Sequence, residues 1–180
     1  MTSAAWMSLL VGVACTVSLC PGCGRQTAWP KEITDRPREL GGLSCDLYLP
    51  QERVATSGEV RVYVLLANNG TQPVTVDGRM NTAAHVSLFL AAWDGEVSYW
   101  PGYRAKLVRP TRDDFVTLRP ASLYGKIVSI PVKEVSQKGP GVYRLIALFE
   151  AWEKGEGLGL HAWKGWIRSN EVRLDIAAPK

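Results

Sequence analysis

Val60-Arg61-Val62-Tyr63-Val64-Leu65-Leu66-Ala67-Asn68-Asn69-Gly70-Thr71-Gln72-Pro73-Val74-Thr75-Val76 decides the fold class of this chain. Val60, Val62, Val64 and Leu66 alternate with Arg61, Tyr63, Leu65 and Ala67, a period of two that belongs to a strand with one buried face. Asn68-Asn69-Gly70-Thr71 then interrupts the run. An Asn-Gly step supplies the positive φ angles of tight hairpin turns, so Pro73 to Val76 is expected as the strand returning against the first. Pro73 stands at its start, where no ladder donor is needed.

Outward from this stretch, strands are expected at Ser44–Leu49, His85–Ala92, Phe115–Leu118, Leu123–Ile130, Val142–Ala151 and Asn170–Ile176. Each is bounded by Gly, Pro, Asn or Asp. No window of a dozen residues carries helical periodicity. Short strands separated by turns point to an all-β, antiparallel sandwich with Greek-key connections. The 180 residues allow one domain of ordinary size, and 46% hydrophobic residues suffice for a core. The net charge of +4 comes from 21 basic and 17 acidic residues spread along the chain. No block of like charge resembles a nucleic-acid arm or a membrane-binding basic tract.

Gly139-Pro140-Gly141-Val142-Tyr143-Arg144-Leu145 resembles the corner and penultimate strand of immunoglobulin-like and fibronectin-like sandwiches. In those a Tyr near the strand start sends its hydroxyl back to the preceding turn. Trp163-Lys164-Gly165-Trp166-Ile167-Arg168-Ser169-Asn170-Glu171-Val172 is similar to the closing hairpin of Ig-like domains in exported bacterial proteins. The likeness covers roughly Val60 to Ile176, implies an Ig-like sandwich over residues 43–180, and brings no catalytic residues with it. The strand, the Asn-Gly step and Leu118-Arg119-Pro120 also resemble, more loosely, bacterial proteinase-inhibitor sandwiches.

Residues Trp6 to Leu19 are uncharged and mostly Leu, Val, Ala, Met, Ser and Gly. Such a run fits the apolar core of an export signal and falls short of the ~20 residues a membrane-spanning helix needs. The chain turns polar after Cys23. Met1 to Ala5 lacks the Lys or Arg usual in such signals. The Gly22-Cys23-Gly24 step resembles the lipobox of bacterial lipoproteins, with Cys20 and Pro21 standing where an aliphatic and a small residue are usual. That resemblance implies cleavage and acylation at Cys23, with Cys20 as the alternative; Cys15 would leave a very short apolar core. It also implies a location on the extracytoplasmic side of a bacterial membrane. Residues 1–22 are then the signal segment, and 23–42, rich in Pro, Arg, Glu, Thr and Gly, a flexible tether. Cys20-Pro21-Gly22-Cys23 opens no helix of a βαβ unit, so a redox pair is not expected. Cys45 is expected as a small apolar core residue rather than a nucleophile.

Enzyme templates are missing: no G-x-S-x-G, H-E-x-x-H or phosphate-loop pattern occurs. Neither a cofactor nor a metal site is expected. His85 at a strand start and His161 in a glycine-rich loop lack ligand spacing. Asp113-Asp114 and the set Glu150, Glu153 and Glu156 read as solvated carboxylates of polar turns. The aromatic residues are more telling. Trp152, His161, Trp163 and Trp166 flank the connection between the last two strands. Trp93, Tyr99, Trp100 and Tyr103 flank the turn-rich stretch Asp94 to Arg104. Because sandwich loops cluster at two ends, the two groups are expected either to meet as one binding patch or to plug the core. The expected function is a non-catalytic envelope module binding a protein or a glycan. The alternative is a proteinase inhibitor presenting the segment Ser98 to Arg112.

Overall fold

A computed structural model describes residues 29–82, 84–100, 108–152 and 155–178. In chain order the elements are α1 (Lys31–Thr34), β1 (Glu39–Leu40), β2 (Leu43–Tyr48), β3 (Arg53–Val54), β4 (Glu59–Asn68), β5 (Val74–Asp77), β6 (Val86–Ala91), β7 (Val97–Trp100), β8 (Phe115–Leu118), β9 (Leu123–Pro131), α2 (Val132–Val135), β10 (Gly141–Ala151), β11 (Gly165–Arg168) and β12 (Val172–Ile176). Two antiparallel sheets, β1-β2-β4-β9 and β3-β12-β10-β6-β7, enclose one core, with only the two-residue β3 running parallel to its neighbour β12. The fold is an all-β, Ig-like sandwich. β4 buries Val60, Val62, Val64 and Leu66, as its period of two requires, against Leu88, Leu145 and Phe149 of the opposite sheet.

The hairpin expected across Asn69-Gly70 is not formed. Both edges of β4 are occupied, by β2 and β9, and β5 pairs instead with β8. The cause is Asn68, which is fully buried at the end of β4. Its Oδ1 accepts the Gly70 N–H at 2.9 Å, while its Nδ2 donates to the carbonyls of Gln72 and Leu118 at 2.8 and 2.9 Å. Asn69 N–H donates to Gly42 O. Neither Asn69 nor Gly70 has a positive φ. The side-chain amide thus turns the backbone out of the sheet, which a hairpin turn would have kept in it.

Tyr143 behaves as the likeness implies. Its ring is 2% exposed and its hydroxyl donates to Gly139 O at 2.6 Å. The closing stretch pairs with β10 in two steps. Leu148 faces Arg168 and Leu145 faces Val172, so three steps on β10 oppose four on the partner and leave one extra residue. This bulge holds Ser169, whose Oγ accepts the Ala147 N–H, and Asn170, whose amide bonds both N–H and C=O of Leu47 in the other sheet. β11 lies nearer the chain's aromatic loop than the expected strand Asn170–Ile176, and β7 occupies residues expected as loop.

The folded region begins before residue 43. Trp29 to Arg38, expected as tether, lie as a strap on the outer face of the second sheet. Ile33 is 1% exposed against Ile146 and Leu148. Arg168 donates its N–H to Pro37 O and its Nε to Arg36 O. Trp29 Nε1 donates to Glu171, and Arg144 sits over the Trp29 ring. This covering explains why Leu145-Ile146-Ala147-Leu148-Phe149 is continuously apolar: β10 is buried on both faces.

Candidate functional site

β10 fixes the distance between Trp93 and Trp152, one ring from each aromatic group. Trp93 packs over Gly141 at its first residue, and Trp152 follows its last. At a rise of about 3.3 Å per residue the two rings stand roughly 30 Å apart. Trp93 and Trp152 therefore stand at opposite ends, while Tyr99 and Trp100, which lie across β6 from Ile146 and Ala147, fall between them, so the described aromatic residues do not gather at one end. Gly141 has φ +150°, and a Cβ there would lie 2.6 Å from the Trp93 ring, so only glycine admits this contact.

The rings also divide by burial. Trp100 is 5% exposed and its Nε1 donates to Glu134 Oε2 at 2.6 Å. Trp163 is half-buried, stacks on Phe149 with centroids 5.8 Å apart, and donates to Leu40 O at 2.9 Å. These two close the core. Trp93, Tyr99 and Trp152 are half-exposed or more, at 59%, 50% and 52%. Tyr99 lies against Phe89 on the outer sheet face. His161 is exposed. Tyr103 and both Cys23 and Cys20 lie outside the described residues. Ser98 to Trp100, the start of the expected inhibitory segment, are paired to β6 within β7.

At the Trp152 end four side chains gather. Trp152 meets Trp166 edge-on, with centroids 5.3 Å apart and planes at 69°. Arg36 from the strap places its guanidinium 4.1 Å from the centre of the Trp166 ring. Glu150, opposite Trp166 in the β10–β11 ladder, completes the set. Its Oε1 and the Arg36 Nε are both buried without a hydrogen-bond partner. Burial pushes the Glu150 carboxyl up to about 7, against the opposing pull of Arg36 and His85. Glu150, expected as a solvated carboxylate of a polar turn, lies instead within β10 with one oxygen buried. Arg36 was not legible, because it sits in a stretch of tether-like composition; Trp29 and Ile33, apolar and four residues apart there, were the available signal.

Behind this end lies a second polar cluster. Asp77 and His85 are buried, with Oδ2 and Nε2 3.3 Å apart, and Arg79 forks onto the same carboxylate. Burial alone would raise the Asp77 pKa, but the bonds from His85 and Arg79 outweigh it and hold the group well below the usual carboxylate range. The other ring nitrogen of His85 accepts the Asn81 N–H. Both imidazole nitrogens are engaged, so His85 braces the loop after β5 and has no nitrogen left to serve as a general base. Among the described residues no three His, Cys, Asp or Glu side chains converge as metal ligands, and no helix is long and apolar enough to cross a membrane. Cys45 is fully buried; burial, then the neighbouring Asp46, pushes its thiol up to about 12.

Fold and site together describe an antiparallel β-sandwich with one aromatic, charge-flanked end. No family model and no curated protein match the chain. Among solved structures it is similar to the sporulation control protein Spo0M of Bacillus subtilis, at 12% identity and TM-score 0.43, over 78% of this chain and 51% of that one. A β-glucosidase of Erythrobacter marinus matches at 11% identity and TM-score 0.41, over 75% of this chain and 15% of the enzyme. The CARDB domain of PF1109 from Pyrococcus furiosus matches at 13% and 0.37, over 77% and 96%. The chain thus spans a small part of the glucosidase and about half of Spo0M. Likenesses this distant add nothing to the sandwich already described.

Proposed function

We propose that this chain is a non-catalytic binding module, held at the extracytoplasmic face of a bacterial membrane by a lipid on Cys23 and presenting the Trp152 end to an envelope partner. The observation that carries the binding role is a half-exposed Trp152 set beside Trp166, Arg36 and Glu150, where a core plug would be covered. Aromatic rings flanked by a few fixed polar groups are typical of recognition surfaces. The signal-like segment and the Gly22-Cys23-Gly24 step support the anchor.

Each half has its own test. Labelling cells with radioactive palmitate should mark the wild-type chain and leave Cys23→Ser unlabelled in the soluble fraction. Labelling that survives in Cys23→Ser but not in Cys20→Ser would move the anchor three residues upstream. For binding, photocrosslinking from position 152 on intact cells should trap an envelope component that position 93 does not. Inhibition of extracytoplasmic proteases by the purified domain, abolished by changes within 101–112, would favour the inhibitor instead.

A further inference from the structure

Resting on the binding role just proposed, we infer that the Trp152 end is a saccharide subsite, with Trp152 as the stacking platform and Arg36 and Glu150 as the hydroxyl-reading pair.

The chemistry of the four side chains narrows the ligand. An organic cation would seek an aromatic face beside a carboxylate, but Arg36 already occupies the Trp166 ring with a positive charge. A simple anion would seek Arg36, yet it would meet Glu150 alongside. A neutral polyol avoids both conflicts. Its hydroxyls both donate and accept, so one can accept from the Arg36 guanidinium while its neighbour pairs with Glu150. Glu150 serves in either state, as an acceptor when ionised and as a donor when protonated. Arg36 and, after it, His85 are the groups that oppose the rise of its pKa. A sugar ring also carries an apolar C–H face, which Trp152, about half open to solvent, is able to cover.

The two unpartnered atoms are the second, independent observation. Glu150 Oε1 and Arg36 Nε are each buried and unsatisfied in the free protein. Such atoms cost free energy unless a partner arrives. Vicinal hydroxyls, reached by a small shift of the two flexible side chains, supply one acceptor and one donor together. Trp93, similarly exposed at the opposite end, has neighbours of another kind: Asp94 and Glu96 are tied to Lys138. It makes an internal control.

The test is titration of the purified full chain with chitotetraose, cellotetraose and maltotetraose, followed by tryptophan fluorescence and calorimetry. At least one probe is expected to bind saturably. Trp152→Ala should weaken it tenfold or more and Glu150→Ala about fivefold, while Trp93→Ala leaves it unchanged. Glu150→Gln, which keeps the shape and both hydrogen-bonding roles, should retain most of the affinity and shows that any loss in Glu150→Ala is not a folding defect. No binding of any probe at 10-millimolar concentration, on the order of the weakest carbohydrate contacts, or binding indifferent to Trp152, overturns the assignment. A protein crosslinked from position 152 together with silent sugar titrations would leave the binding module standing and remove the saccharide.

Discussion

Glu150 shows at the scale of one residue how burial without a partner shapes stability. Its carboxyl is pushed up to about 7, whereas an unfolded chain releases that proton near 4.5. Between those values the folded protein holds a proton that the unfolded one has lost. Stability from this group is therefore present at acidic pH and lost as pH rises through 7. Glu150→Gln should stabilise the fold at pH 8 by on the order of 1 kcal/mol once partial exposure is discounted, seen as a raised melting temperature, and leave the melting temperature unchanged at pH 4. Thermal scans at the two values check this, and an equal or lower melting temperature at pH 8 would count against it. Asp77 has the opposite sign, since its depressed pKa stabilises the fold above the ordinary carboxylate range and is lost in strong acid. Cys45, with its thiol at about 12, should not react with a disulfide reagent in a chain whose other cysteines are replaced by serine, and should react at once in guanidinium.

At the scale of elements, the turn at Asn68 and the strap carry the largest energies. Asn68→Ala removes the three hydrogen bonds of a fully buried side chain, for a loss of about 2–4 kcal/mol by urea denaturation. A hairpin would have tolerated the same change at a few tenths. Ile33→Ala should cost about 2–3 kcal/mol, because the side chain is buried between the strap and β10. A polar tether would show no effect. These two places are also where sequence and structure part. The period of two in β4 and the Tyr143 corner were legible because each is local: alternation and a four-residue hydrogen bond need nothing distant. Asn68 chose its partner 50 residues away, and an Asn-Gly pair looks the same whichever way the preceding side chain turns. The apolar run of β10 advertised a second covered face, but not that residues 29–38 would cover it.

For the whole molecule, the length of β10 sets what the two ends can do together. Aromatic composition was legible, and so was the expectation of loops gathered at sandwich ends. Which loop goes to which end depends on strand direction, which composition does not encode. Acrylamide quenching should resolve an accessible tryptophan population that Trp93→Phe and Trp152→Phe jointly remove, with Trp100 in the protected remainder. Uniform protection of all rings would contradict the exposed end on which the binding role depends.

The strap has a mechanical meaning. With the proposed lipid on Cys23 as the fixed point, a pull on the sandwich would load the N-terminal side of the chain in tension. The strap is the first element to feel that load. Drawn off from its N-terminal side, it would part Trp29 from Glu171 and Ile33 from β10 before Arg36 leaves Trp166, so complete release would also dismantle the proposed subsite. Ten residues drawn straight add roughly 35 Å of reach. Pulled from residue 24, the molecule should yield one short, low-force extension, smaller than that length by the distance the folded strap already spans, before the sandwich itself gives way.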